Sequence, residues 1–188
     1  MGLLPNGHSR MLTPYTRRQQ LVMGMEGPTD WREDGPVSAA LAASGEPLIP
    51  GVHPLVNGAV LSYSLFPNLT TPLSSRGFPF LAAWPVDPGH TFFEWTRFIP
   101  DWGEESAEIE AKRKAFLDTP LTVMEEDTRN MEPMFLSLSS PGLPGLHIGY
   151  QERRLYYCAE VLDQAIGPHR VPERLRIKPL LQQYVEYD

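Results

Sequence analysis

Two apolar runs separated by a tight reversal constrain the fold most. Residues 78–86 and 91–98 are rich in aromatic and aliphatic side chains. Between them stands Asp87-Pro88-Gly89-His90, with proline and glycine where a sharp turn needs them. This spacing predicts an antiparallel hairpin. A further run at 60–66, bounded by Gly58 and Pro67, predicts another strand of the same sheet, and residues 10–16 form a candidate strand nearer the start. The later chain changes period. Residues 104–139 read as helical, with Glu104 and Glu105 set to favour the first turn and Thr119-Pro120 set to restart the pattern as an N-cap followed by proline. After a Pro/Gly-rich loop at 141–145, a last helix is expected over 150–166. Its predicted apolar stripe is Leu155, Cys158, Ala159, Leu162 and Ile166, and Gly167-Pro168 stops it. A sheet followed by long helices is an α+β fold.

Composition narrows the function. With 188 residues, 41% of them hydrophobic and 10% aromatic, the chain has enough apolar surface for one sizeable core and too much for a disordered protein. A formal charge of −7 and no dense basic cluster argue against a nucleic-acid partner. No apolar run approaches the roughly 20 residues that span a bilayer, and the start Met1-Gly2-Leu3-Leu4-Pro5 lacks the pattern of a signal peptide, so the expected location is cytoplasmic. Cys158 is the single cysteine, which excludes an intrachain disulfide, a thiolate zinc site or a [2Fe-2S] cluster built by this chain. The twenty prolines and fifteen glycines predict long loops, above all over 1–58, where a short helix at 37–43 is the main exception. The expected organisation is 1–168 as one domain (1–58 loop-rich, 59–99 sheet, 104–167 helices) and 169–188 as a C-terminal tail.

One residue stands where hydrophobic patterning does not want it. On a helix after Pro120, Leu121, Val123, Met124, Met131, Met134, Phe135 and Leu138 share one broad face, with Glu125, Arg129 and Glu132 opposite. Asp127 falls in the middle of the apolar face, so it is expected to be buried. A carboxylate there needs a hydrogen-bond partner, a cation or a metal. Periodicity leaves the structural and the functional readings both open. Pro133 is expected to kink this helix one turn earlier.

Four segments resemble the catalytic domain of Rieske-type ring-hydroxylating oxygenase α subunits, in the family's order. Glu126-Asp127-Thr128-Arg129-Asn130-Met131-Glu132 is similar to the segment carrying the carboxylate iron ligand. Phe66-Pro67-Asn68 resembles a strand motif. Trp84-Pro85-Val86-Asp87-Pro88 with Phe93-Glu94-Trp95 resembles a hairpin motif. Asn6-Gly7-His8 followed by Ser9-Arg10-Met11 occurs in some members just after their histidine ligands.

The resemblance covers residues 6–167 and implies a helix-grip fold, in which a curved antiparallel sheet packs on a long C-terminal helix. It implies iron(II) as cofactor with Asp127 as its carboxylate ligand, and an aromatic or other apolar substrate. Val123 and Met124, one turn before Asp127, are the implied substrate contacts. The family's partners would be a Rieske segment, a β subunit and a ferredoxin or reductase, and its α subunits form trimers.

The family's two histidine ligands come from a His-x-x-x-x-His segment upstream of the matched region. The histidines here are His8, His53, His90, His147 and His169, with no close pair, so the chain is expected to be an N-terminally truncated catalytic domain. His8 and His147 are the candidates for a replacement ligand, and Cys158 is expected to be an inert core thiol. Two other functions compete with the oxygenase: a metal-free helix-grip protein holding a hydrophobic ligand, and a gene fragment without independent function.

Overall fold

A computed structural model describes residues 1–16, 45–53, 55–143 and 145–187; the helix expected at 37–43 lies outside them. Two compact units are present, one formed by 1–100 with 148–188 and the other by 101–147.

The first unit is built on a six-stranded antiparallel sheet whose strands neighbour each other in chain order. They are β1 (Gly2–Leu3), β2 (Ser9–Pro14), β3 (Ala59–Leu65), β4 (Leu69–Leu73), β5 (Phe78–Asp87) and β6 (His90–Phe98). A short helix α1 (Leu55–Gly58) leads into β3. The expected hairpin is β5–β6, paired from Phe78 opposite Phe98 to Asp87 opposite His90, with a bulge near Val86. At its turn the Gly89 amide and the His90 ring both bond the Asp87 carboxylate. At its other end Phe78, Phe80 and Phe98 cluster with ring centroids 4.9–5.8 Å apart.

β4 has no counterpart in the sequence reading. Its segment Leu69-Thr70-Thr71-Pro72-Leu73 contains a proline, which argues against an interior strand. The geometry accommodates it: β4 pairs with β3 over five residues but with β5 only at Leu69 and Thr70, so the β5 ladder ends before Pro72.

Helix α4 (Arg153–Ile166) follows a single 3₁₀ turn at Tyr150–Glu152 and completes the α+β helix-grip arrangement. It meets the sheet by a different face from the one expected. Leu155, Leu162 and Ile166 are exposed, while Tyr157 and Glu160 are 0% and 1% exposed. The backbone around this face supplies partners to the Tyr157 hydroxyl and to Glu160 Oε1, as described below. Around it the core comprises Leu3, Val56, Ala59, Ala82 and Val171.

The second unit contains α2 (Ala107–Arg129) and α3 (Met131–Leu138). Ser106 caps α2, its hydroxyl accepting from the Ile109 amide, and Glu108 and Glu110 occupy the first turn. Glu104 and Glu105 therefore precede the helix rather than open it, and Glu105 pairs with Arg113 at 2.6 Å. The helix also runs straight through Thr119-Pro120 instead of restarting there. Pro120 drops one rung of the ladder, but the good helix formers before it, from Ala107 to Leu117, sustain the run. The break comes at Asn130, one turn before Pro133, as expected. Pro133 then sits in the first turn of α3, where no amide donor is required. The Asn130 side chain closes the preceding turn by donating to the Glu126 carbonyl at 3.1 Å. No helix among the described residues is long and apolar enough to cross a membrane.

Candidate functional site

In the first unit, three of the sequence motifs converge on one junction. Asn6 takes a left-handed conformation (φ 59°), which asparagine tolerates better than most residues, and Gly7 follows at φ 82°. A side chain at Gly7 would place its Cβ 2.9 Å from the Phe66 ring, so glycine is needed for space as well as for conformation. The Gly7 amide donates to the Tyr157 hydroxyl at 3.3 Å, and that hydroxyl donates to the Leu4 carbonyl at 2.9 Å. Burial pushes the Tyr157 phenol above its usual pKa, the Gly7 amide opposing, so the hydroxyl keeps the proton it donates. The Phe66 amide donates to His8 Nδ1 at 3.0 Å. Asn68, two residues on, exchanges two bonds with Ala83, just before Trp84: its side chain donates to the Ala83 carbonyl and its carbonyl accepts from the Ala83 amide.

The His8 geometry decides its role. A backbone amide can only donate, so Nδ1 must accept, and in the neutral ring the proton sits on Nε2. His8 is a brace between two strands, and His53 plays a similar local part by accepting from the Leu55 amide at 3.2 Å.

The junction borders a cavity of about 230 Å³ between the sheet and α4. Its walls include Ser9, Leu65, Leu69, Ala83, Arg154 and Cys158. Burial raises the Cys158 pKa, which suppresses the thiolate and fits an unreactive thiol in the wall of the cavity.

A direct stability test follows. Gly7→Ala should lower unfolding stability by about 3 kcal/mol, combining positive-φ strain with the clash against Phe66. Asn6→Gly, which keeps the conformation accessible, should change it by less than about 0.5 kcal/mol. Urea denaturation of the two variants compares these values. Equal midpoints would contradict the assigned packing.

In the second unit, Asp127 lies in the last turn of α2 and is exposed, which corrects the expectation of burial. The reason is local. Met131, Met134, Phe135 and Leu138, which share its apolar face, are themselves 43–59% exposed, and the described residues of 101–147 contain no sheet to cover that face. Met124 is half-buried, and Val123 is placed only as part of α2. His147 is exposed.

Among the described residues no group of three His, Cys, Asp or Glu is arranged to hold a metal, and His8 and His53 each accept a backbone amide at Nδ1. Sequence reasoning missed the structural pair Tyr157 and Glu160. Their only signal was a tyrosine and an acid at i and i+3 on a helix whose aliphatic residues pointed elsewhere.

Residues 6–167 match the family described as ring hydroxylating alpha subunit (catalytic domain). No curated protein and no solved structure matches the chain.

Proposed function

We propose that this chain, which belongs to the ring hydroxylating alpha subunit family through its catalytic domain, forms part of an oxygenase that hydroxylates an aromatic or other apolar substrate with dioxygen in the cytoplasm. The observation carrying this reading is the extent of the match, which takes in five of the six strands and all of α2, α3 and α4. Iron, when bound in such a domain, supplies the activation of dioxygen. Asp127 is our candidate for its carboxylate ligand, and the imidazole ligands would come from a segment outside these 188 residues. Val123 and Met124 are assigned to the substrate-facing wall.

Electrons would reach the site from a Rieske cluster that one cysteine cannot build. That assigns the chain partners: a polypeptide carrying the Rieske domain, a ferredoxin or reductase, a β subunit, and further copies in a trimer. The cavity between α4 and the sheet favours a second reading, a metal-free protein that holds a hydrophobic ligand.

Isotope labelling separates the two. The chain is combined with a polypeptide carrying a Rieske domain and a His-x-x-x-x-His segment, then given reductant, ¹⁸O₂ and naphthalene or toluene as apolar probes. Hydroxylated product carrying ¹⁸O, formed only when both polypeptides are present, is the expected result. Binding of the probes to the chain alone, with no labelled product from the mixture, would favour the second reading.

A further inference from the structure

Residues 168–187 follow the segment matched to the family, yet they are fastened to the first unit at both ends. The Ile177 amide donates to Asp163 at 2.7 Å, and the Tyr156 hydroxyl donates to the Lys178 carbonyl at 2.9 Å. Both the Leu180 and the Leu181 amides donate to Glu160, at 2.6 and 2.9 Å. Further on, Val185 bridges to Leu3 in parallel, and the Glu186 amide donates to the Leu3 carbonyl. The segment is a strap laid over α4 and tied to the edge strand β1.

Between the strap and the start of α4 lies a cavity of about 510 Å³, within the range of small-molecule sites. Buried Leu3 lies on its domain side, with Leu181 facing from the strap. Two aromatic rings flank it, Tyr150 from the domain side and Tyr184 from the strap. The charged groups are Arg153 and Glu186. Glu186 already pairs with Arg10 at 2.5 Å.

Arg153 is different. It donates from Nη2 to the neutral carbonyl of Met1 at 2.8 Å and lies 4.3 Å from the centre of the Tyr150 ring. Its Nε has no partner, and among the described residues no carboxylate pairs with it. A guanidinium has five N–H donors in a planar fork that fits a carboxylate, and only one hydrogen bond is accounted for here.

We propose that this cavity binds a small aromatic carboxylate, the acid group on Arg153 and the ring between Tyr184 and Leu3. Three of the residues that line it, Leu181, Tyr184 and Glu186, come from the strap.

Isothermal titration of the metal-free chain with 2-naphthoate tests this, with 2-naphthamide as the uncharged twin. The acid should bind in the micromolar-to-low-millimolar range typical of ligands this small. The amide should bind at least about tenfold more weakly, for want of a charge-assisted pair. Arg153→Gln should abolish the preference for the acid. Tyr184→Ala, an exposed strap position whose loss leaves the fold intact, should weaken the acid about fivefold by removing a ring contact. No binding, equal binding of acid and amide, or an affinity for the acid that Tyr184→Ala leaves unchanged would each overturn the proposal. Because the titration is run without iron and reads binding alone, its outcome is independent of the oxygenase reading.

Discussion

Replacing Glu160 with leucine should lower the stability of the first unit by about 3 kcal/mol, because two strap amides lose their acceptor in a buried setting. Glu160 is 1% exposed, and its Oε1 accepts from both the Leu180 and the Leu181 amides. Leucine fills much of the same space but accepts nothing, so the loss is one of hydrogen bonding rather than volume. Glu160→Gln keeps a carbonyl oxygen where Oε1 stands and should cost only about 1 kcal/mol.

The effect should also be visible locally. Released from its anchor, the strap should be cut faster by trypsin at Arg174 or Arg176, since cleavage follows the population of the open form. Thermal unfolding and a timed digest of both variants check this. Equal melting temperatures for the leucine and glutamine variants would mean that the two amides are satisfied in another way.

The legible parts of this fold were those with a local cause. The β5–β6 hairpin follows from two apolar runs and Asp87-Pro88-Gly89-His90, all within about twenty residues. The break at Asn130 follows from Pro133 three residues away. β4 escaped because Pro72 contradicts a strand unless one knows that its ladder to β5 stops at Thr70.

The buried face of α4 escaped for a related reason. Hydrophobic periodicity chooses the aliphatic face, but Tyr157 finds its partners at Leu4 and Gly7, some 150 residues earlier, and Glu160 finds its own some 20 residues later. Polar residues with distant backbone partners carry no periodic signal. The motif junction was half legible. Asn6-Gly7 reads as a turn, whereas the contact that demands Gly7 is with Phe66, and His8 reads as a candidate ligand until the Phe66 amide claims its Nδ1.

Asp127 was found by its place on an apolar helix face. Its burial did not follow, because an apolar face is buried only where another layer covers it, and residues 101–147 bring no such layer of their own.

The largest chemical effect should come from Asp127→Ala in the assembled oxygenase. An iron(II) site of two imidazoles and one carboxylate loses its only anionic ligand in that variant, and iron should dissociate to any competing chelator. Because Asp127 is exposed at the end of α2, the substitution should change the stability of the isolated chain by less than about 0.5 kcal/mol. A loss of iron can then be read as loss of a ligand rather than of the fold.

Metal analysis after anaerobic iron loading and desalting tests the central claim most directly. It is done on the chain alone, on the chain joined by a polypeptide carrying His-x-x-x-x-His, and on the same pair with Asp127→Ala. The account predicts substoichiometric iron for the chain alone, about one iron per chain for the pair, and loss of that iron in the variant. About one iron on the isolated chain would mean that its own histidines complete a site. Iron in the pair that survives Asp127→Ala would remove Asp127 from the ligand set. Either result would contradict the account.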